Sequence, residues 1–190
     1  MKVLAINGSP RKGGNTEILI NKVFEPLQAA GIETELVQIG GQAVRGCTAC
    51  MKCFKTNDKT CIIKNDPVND IIAKMIEADG IIFGSPTYFA DVTAELKALI
   101  DRAGLVCYPK GHLKHKVAAS VVAVRRGGSI HAFDTMNHFF QINSMFIVGS
   151  SYWNMVYGRE PGEVESDEEG IRNMTNLGES MALLLQKLNA

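Results

Sequence analysis

The 190-residue sequence has no excess charge of either sign, with twenty Lys plus Arg against twenty Asp plus Glu. A protein that grips nucleic acid or an anionic lipid surface needs surplus basic charge, so neither partner is expected. No apolar run approaches the ~20 residues of a membrane span. The first one, Met1 to Ile6, meets Asn7-Gly8-Ser9-Pro10 too soon to act as a signal peptide, and a cytoplasmic location is expected. No Ser-His-Asp set, carboxylate pair or His-Glu-x-x-His motif is visible, so hydrolytic chemistry has no support. No Pro- or Ser-rich linker, repeat or second core interrupts the chain, and residues 1–190 are read as one domain. Apolar residues at 46% and charged residues at 21% argue against disorder. Cysteine is the exception to this scarcity. Four of the five fall between positions 47 and 61, which in a reducing compartment points to metal binding or redox work.

Short apolar runs alternate with helical patterns. Lys2–Ile6, Glu33–Ile39, Gly80–Gly84, Val117–Val124 and Met145–Val148 read as strands. Helical spacing runs from Ile18 to Leu27, with Pro26 expected to kink or shorten that helix and Gly31 to cap it. Further helices are expected with Asp66 as N-cap and Pro67 at the first helical position, around Leu96–Ala103, over Ile130–Ile142 and from the capping-box sequence Ser166-Asp167-Glu168-Glu169. Residues 42–65 show no sustained period and form a Cys-rich insertion. Five apolar strands alternating with helices imply an α/β, three-layer doubly wound sandwich. Its parallel five-stranded sheet would take the flavodoxin-like order 2-1-3-4-5. The loops leaving the strand C-termini then share one edge, where ligands bind.

Gly8-Ser9-Pro10-Arg11-Lys12-Gly13-Gly14-Asn15-Thr16 joins the first strand to the first helix. Small residues let the backbone approach an anion, helix N–H groups point at it, and Ser9 and Thr16 add hydroxyls. Gly14-Asn15 stands where a Walker loop needs Lys-Ser/Thr, and Pro10 breaks the Gly-x-Gly of a Rossmann turn. ATP, GTP and Rossmann-type NAD sites are therefore disfavoured. Together with Gly84-Ser85-Pro86-Thr87-Tyr88-Phe89, this loop resembles the NAD(P)H-dependent FMN reductase branch of the flavodoxin-like superfamily over essentially the whole chain. The resemblance implies that Ser9, Arg11, Asn15 and Thr16 hold the FMN phosphate, mostly through backbone and hydroxyl groups. It places Pro86, Thr87, Tyr88 and Phe89 along the isoalloxazine ring. It also brings Arg125-Arg126-Gly127-Gly128 near the flavin, with the arginines available to an incoming nicotinamide nucleotide.

Cys47-x2-Cys50-x2-Cys53 is followed by Cys61. Ferredoxins use Cys-x2-Cys-x2-Cys for three ligands of a cubane, whereas structural zinc sites usually separate two Cys-x2-Cys pairs widely. A [4Fe–4S] cluster, free redox-active thiols and zinc all stay open. Lys52, Lys55, Lys59 and Lys64 are expected to lower the thiol pKa values. The motif, with the stretch from Gly158 to Gly170, resembles the iron–sulfur flavoproteins of the same family. Cys107 reads as a buried bystander. His112 and His115 read as a solvated turn ahead of a metal pair, and Trp153 as core or interface packing ahead of a wall of the flavin pocket. His131 and His138, seven apart on one helix face, remain unassigned.

Chemistry on a bound flavin needs no side-chain acid or base, which agrees with the absence of a catalytic set. Two enzymatic readings result. In one, NAD(P)H reduces FMN and electrons pass to flavin, quinone or another small acceptor. In the other, a ferredoxin-like donor feeds a cluster on the four thiols and then FMN. A non-catalytic flavin or thiol redox sensor is the reading from another class. The family resemblance implies a homodimer or homotetramer.

Overall fold

β1 (Lys2–Asn7) and β3 (Gly80–Pro86) are apolar along most of their length because helices cover both faces of the sheet they centre. In the computed structural model, which describes residues 1–56 and 58–190, β1 lies between β2 (Glu33–Gln38) and β3. β4 (Val117–Val124), buried at all eight positions, follows β3. The edge beyond β4 carries β5 (Phe146–Ile147). All pairings are parallel and the order is β2-β1-β3-β4-β5, the expected doubly wound arrangement.

Alternation along β1 sends Val3 and Ala5 to one face and Leu4 and Ile6 to the other. The first face packs on α1 (Asn15–Ala29) and α6 (Glu168–Leu188) through Leu19, Val23, Met174 and Met181. The second packs on α3 (Val68–Glu77), α4 (Ala94–Cys107) and α5 (Ser129–Ile142) through Ile72, Leu99 and Met136. Among the described residues, no helix is long and apolar enough to cross a membrane.

Four local expectations are corrected. Pro26 does not shorten α1, which runs on to Ala29. Gly31, at φ 74°, lies one place beyond the helix cap. It donates to Gln28 O while Ile32 donates to Leu27 O, a Schellman closure. Asp66 is displaced by one residue, because α3 begins at Val68 after Pro67; its carboxylate still accepts the Val68 N–H at 3.2 Å. Asp167, not Ser166, caps α6 by accepting the Gly170 N–H at 3.0 Å.

The fifth strand departs furthest from the expectation of Met145–Val148. After β5 the chain leaves the sheet, and Asn173 Oδ1 accepts Ser151 Oγ at 3.4 Å and the Tyr152 N–H at 3.0 Å. It then returns as β6 (Met155–Tyr157), pairing with Val122–Val124 farther along the same edge of β4. Three residues are too few to show a period, so β6 is hidden within the long segment after Gly149.

Gly178 sets the distance between α1 and α6. A Cβ there would lie 2.4 Å from both Val23 O and Pro26 Cγ. Gly178→Ala is expected to cost about 1–3 kcal/mol through overpacking. A lower urea midpoint with unchanged slope checks this.

Candidate functional site

The loop after β1 is held by its neighbours. Asn7 Oδ1 accepts the Ser9 N–H at 2.9 Å, and Ser9 Oγ accepts the Arg11 N–H at 3.2 Å. Thr93 Oγ1 donates to Gly8 O at 2.8 Å, and Gly8 N–H donates to Gly84 O at 2.8 Å. Gln38 on β2 donates from Nε2 to Ser9 O and accepts from Asn7 Nδ2. Gly40 lies flat against the loop: a Cβ there would sit 2.3 Å from Gly8 O and from the Ser9 carbonyl carbon. Among the described residues no side chain bonds the cap of α1, and Asn15 and Thr16 of its first turn line the cleft, where the helix end carries partial positive charge.

This loop, the end of β3 and the segment after β6 enclose a cleft of about 150 Å³. Ser9, Arg11, Asn15, Thr16, Pro86, Thr87, Tyr88 and Arg125 all line it, together with Gly158, Arg159 and Pro161. Among the described residues, three arginines and no carboxylate line this space, a charge pattern suited to an anion. Thr16 Oγ1 and Thr87 Oγ1 are buried there without a hydrogen-bond partner among the described residues. Buried hydroxyls normally find partners, so both fit a polar ligand entering between them.

Three expected flavin residues lie apart from the cleft lining. Phe89 is fully exposed at the tip of a tight turn closed by the Tyr88 N–H to Asp91 O bond of 2.8 Å. Phe89 and Ala90 carry φ of 47° and 63°, an unusual cost for two non-glycine residues. Gly128, at φ 85°, packs against Ala90 and Thr87, and thereby supports that turn. Gly127 lines a neighbouring cavity of about 320 Å³ beside Arg126, Tyr152, Trp153 and Tyr157. Trp153 is half-exposed at its rim rather than packed in the core.

The Asn15 side chain is engaged within the protein. It donates from Nδ2 to Glu160 O at 2.9 Å and accepts the Gly162 N–H at 2.8 Å. It thus ties down the 158–162 segment, leaving its backbone for the anion. The contribution of Arg159 and Pro161 to the cleft was not legible in the sequence, because only the return of β6 brings them there.

The four clustered cysteines are free, with Cys47 and Cys50 exposed and Cys53 and Cys61 half-buried. Ala49 and Met51 adopt left-handed φ of 51° and 57°, coiling the chain between the thiols. α2 (Lys52–Lys55) is a single turn carrying Cys53. Burial pushes the Cys53 thiol up, and the charges of Cys61, Cys50 and Cys47 add to this against a local backbone hydrogen bond. The thiols are therefore electrostatic neighbours. Cys50 is lowered, first by the Lys52 N–H, with smaller help from Thr48 and the Lys52 charge. The expected lysine effect is thus secondary to the backbone. Among the described residues, no three Cys, His, Asp or Glu side chains form a ready metal site. The donor set is nonetheless all sulfur, and mutual thiolate repulsion is what a cationic iron–sulfur core relieves.

A buried ion pair holds both ends of this loop. Arg102 on α4 donates from Nη1 to Asp66 Oδ2, and to Arg45 O at 3.0 Å; Nη2 donates to Ile63 O at 3.1 Å. Asn69 on α3 accepts the Cys61 N–H at 2.7 Å and donates to Ile63 O at 2.7 Å. Burial opposes the Asp66 carboxylate, but Arg102 and the N–H groups of Val68 and Arg45 hold its pKa below the ordinary value. These contacts were missed because an arginine within a helical apolar pattern gives no sign of its burial. Cys107 is fully buried and pushed up to about 12 by desolvation, as suits an inert thiol. His112 is half-buried rather than solvated, and burial lowers its pKa.

The family model described as NADPH-dependent FMN reductase matches residues 1–160. An iron–sulfur flavoprotein of Methanocaldococcus jannaschii is 39% identical over 189 residues, covering 96% of each chain. One from Methanosarcina thermophila is 33% identical, covering 98% of this chain and 96% of that one. Among solved structures, a flavodoxin, WrbA-like protein from Agrobacterium tumefaciens superposes with a TM-score of 0.66 at 16% identity, over 98% and 97% of the two chains. The chain belongs to the NADPH-dependent FMN reductase family and, within it, to the iron–sulfur flavoproteins, and it is a flavin-dependent oxidoreductase of flavodoxin-like fold.

Proposed function

We propose that the chain binds FMN in the arginine-lined cleft, carries a [4Fe–4S] cluster on Cys47, Cys50, Cys53 and Cys61, and exchanges electrons between a ferredoxin-like donor and a small acceptor such as a quinone or free flavin. NAD(P)H is the alternative donor. The names of the relatives at 39% and 33% identity support the cluster-bearing reading, and the NADPH-dependent family model supports nicotinamide as the alternative donor. When bound, FMN supplies one- and two-electron chemistry and the cluster one-electron storage. The protein's part is to bind and orient. First-turn N–H groups of α1, with Ser9, Arg11, Thr16 and Arg125, receive the phosphate. Pro86, Thr87 and Tyr88 border the ring, while Phe89, Gly127 and Gly128 belong to the loops that frame it. The free thiols support a reducing, cytoplasmic setting. The half-exposed Tyr152, Trp153 and Tyr157 beside the cleft support a homo-oligomer that covers them.

The observation that carries the FMN reading is the pair of buried hydroxyls at Thr16 and Thr87 that have no partner among the described residues. Thr16→Val is expected to weaken FMN binding about 10- to 100-fold, the loss of a charge-assisted hydrogen bond. Riboflavin, which lacks the phosphate, should bind unchanged. The melting temperature of the apoprotein should not fall, since the variant removes a buried group without a partner. Fluorescence titration with the two flavins and a thermal melt check this. Equal weakening of both flavins would refute the phosphate assignment.

A further inference from the structure

We propose that Arg102 is a positioning residue for the thiol loop, clamping both of its ends and setting the potential of the iron–sulfur group by the charge it places beside Cys61. The second half rests on the cluster reading above; the clamp does not. Arg102 is 1% exposed, so its cation is held inside the protein rather than on its surface. A buried charge is retained only with several partners. Its partners are Arg45 O, two residues before Cys47, Ile63 O, two residues after Cys61, and Asp66 just beyond. One guanidinium therefore spans the motif, while Asn69 fixes the Cys61 backbone from the other side. The contacts of Nη1 and Nη2 leave Nε buried and unpartnered among the described residues. Nη2 reaches Ile63 O at 3.1 Å, and Asn69 bonds both that carbonyl and the Cys61 N–H, which brings the guanidinium close to Cys61.

A four-thiolate group becomes more negative when it accepts one electron from an external donor. A nearby cation favours that reduced form, and a nearby carboxylate opposes it. Arg102 and Asp66 form one pair, so removing either disrupts the same packing but changes the local charge in opposite directions. Disruption alone predicts potential shifts of one sign. A charge effect predicts opposite signs.

The experiment uses full-length, FMN-loaded, anaerobically reconstituted protein with Arg102→Gln, Arg102→Lys and Asp66→Asn. Redox titration followed by electron paramagnetic resonance reads the cluster potential, with the flavin potential as internal control. Arg102→Gln is expected to favour the oxidised cluster about tenfold, a negative shift of about 59 mV. Asp66→Asn should shift it positively by a similar amount, and Arg102→Lys should stay near the parent. Shifts of the same sign in Arg102→Gln and Asp66→Asn, or no shift in either, would overturn the charge role. The clamp is read without metal. In iron-free, FMN-loaded protein, trypsin should cleave after Lys52, Lys55 and Lys59 about tenfold faster in Arg102→Gln, with FMN retained; unchanged cleavage would overturn the clamp. Should Arg102→Gln fail to fold, Arg102→Lys and Asp66→Asn carry both measurements. A parent protein that takes up no iron would reject the cluster reading and the potential role together, while the trypsin arm still decides the clamp.

Discussion

Alanine at Gly40 is expected to weaken FMN binding at least 100-fold, about 2.7 kcal/mol, while leaving the fold in place. The added methyl would lie 2.3 Å from Gly8 O and Ser9 C and 2.4 Å from Ser9 O. These are backbone atoms of the phosphate-facing loop, so no rotamer relieves the clash. Gly40 itself is pinned by its N–H to Asn7 O at 3.1 Å, at the end of β2. The loop must therefore move away, and its N–H groups move with it. Anion binding by backbone donors tolerates only about 0.5 Å of displacement. Fluorescence titration with FMN and far-ultraviolet circular dichroism check the result. Gly46→Ala is the control: no described residue lies within 4 Å of its added methyl, and binding should be unchanged.

Cys50→Ser is expected to remove the cluster altogether and leave the flavin. Serine keeps the size but loses the soft ligand that iron–sulfur chemistry requires. Cys50 is exposed, so its replacement opens no core cavity, and its lowered pKa favours the thiolate that binds metal. Iron and acid-labile sulfide should fall to background after anaerobic reconstitution, with about one FMN per chain retained. Cys107→Ala should instead keep both groups. That thiol is fully buried, is pushed up to about 12, and lies at the far end of α4. Loss of FMN together with iron in Cys50→Ser would contradict independent seating of the two cofactors.

The parallel sheet was legible because its central strands are continuous apolar runs and its turns are marked by glycine. The phosphate-facing loop was legible for a related reason: few tight turns need so many small and hydroxylic residues. The second half of the far edge was not. β6 has three residues, and the Asn173 contacts that lift the chain out between β5 and β6 link positions about twenty residues apart. Arg159 and Pro161 reach the cleft only through that return. Gly40 reads from sequence as a strand stop; its close approach to Ser9 depends on the β1–β2 register. Arg102 is the clearest case of what a pattern hides. Position 102 fits the apolar face of α4, and only the long-range contacts with Arg45, Ile63 and Asp66 turn a misplaced charge into a loop anchor.

We propose that FMN sits in the arginine-lined cleft at the strand C-termini and an iron–sulfur cluster on the thiol loop, which runs along α4 with Cys47 beside Ile100 and Gly104. Anaerobic purification followed by iron, sulfide, zinc and flavin analysis of the same sample tests it most directly. About four iron and four sulfide per chain are expected, with about one FMN. Protein that binds FMN but holds zinc, or holds no iron after reconstitution with iron and sulfide, would contradict it.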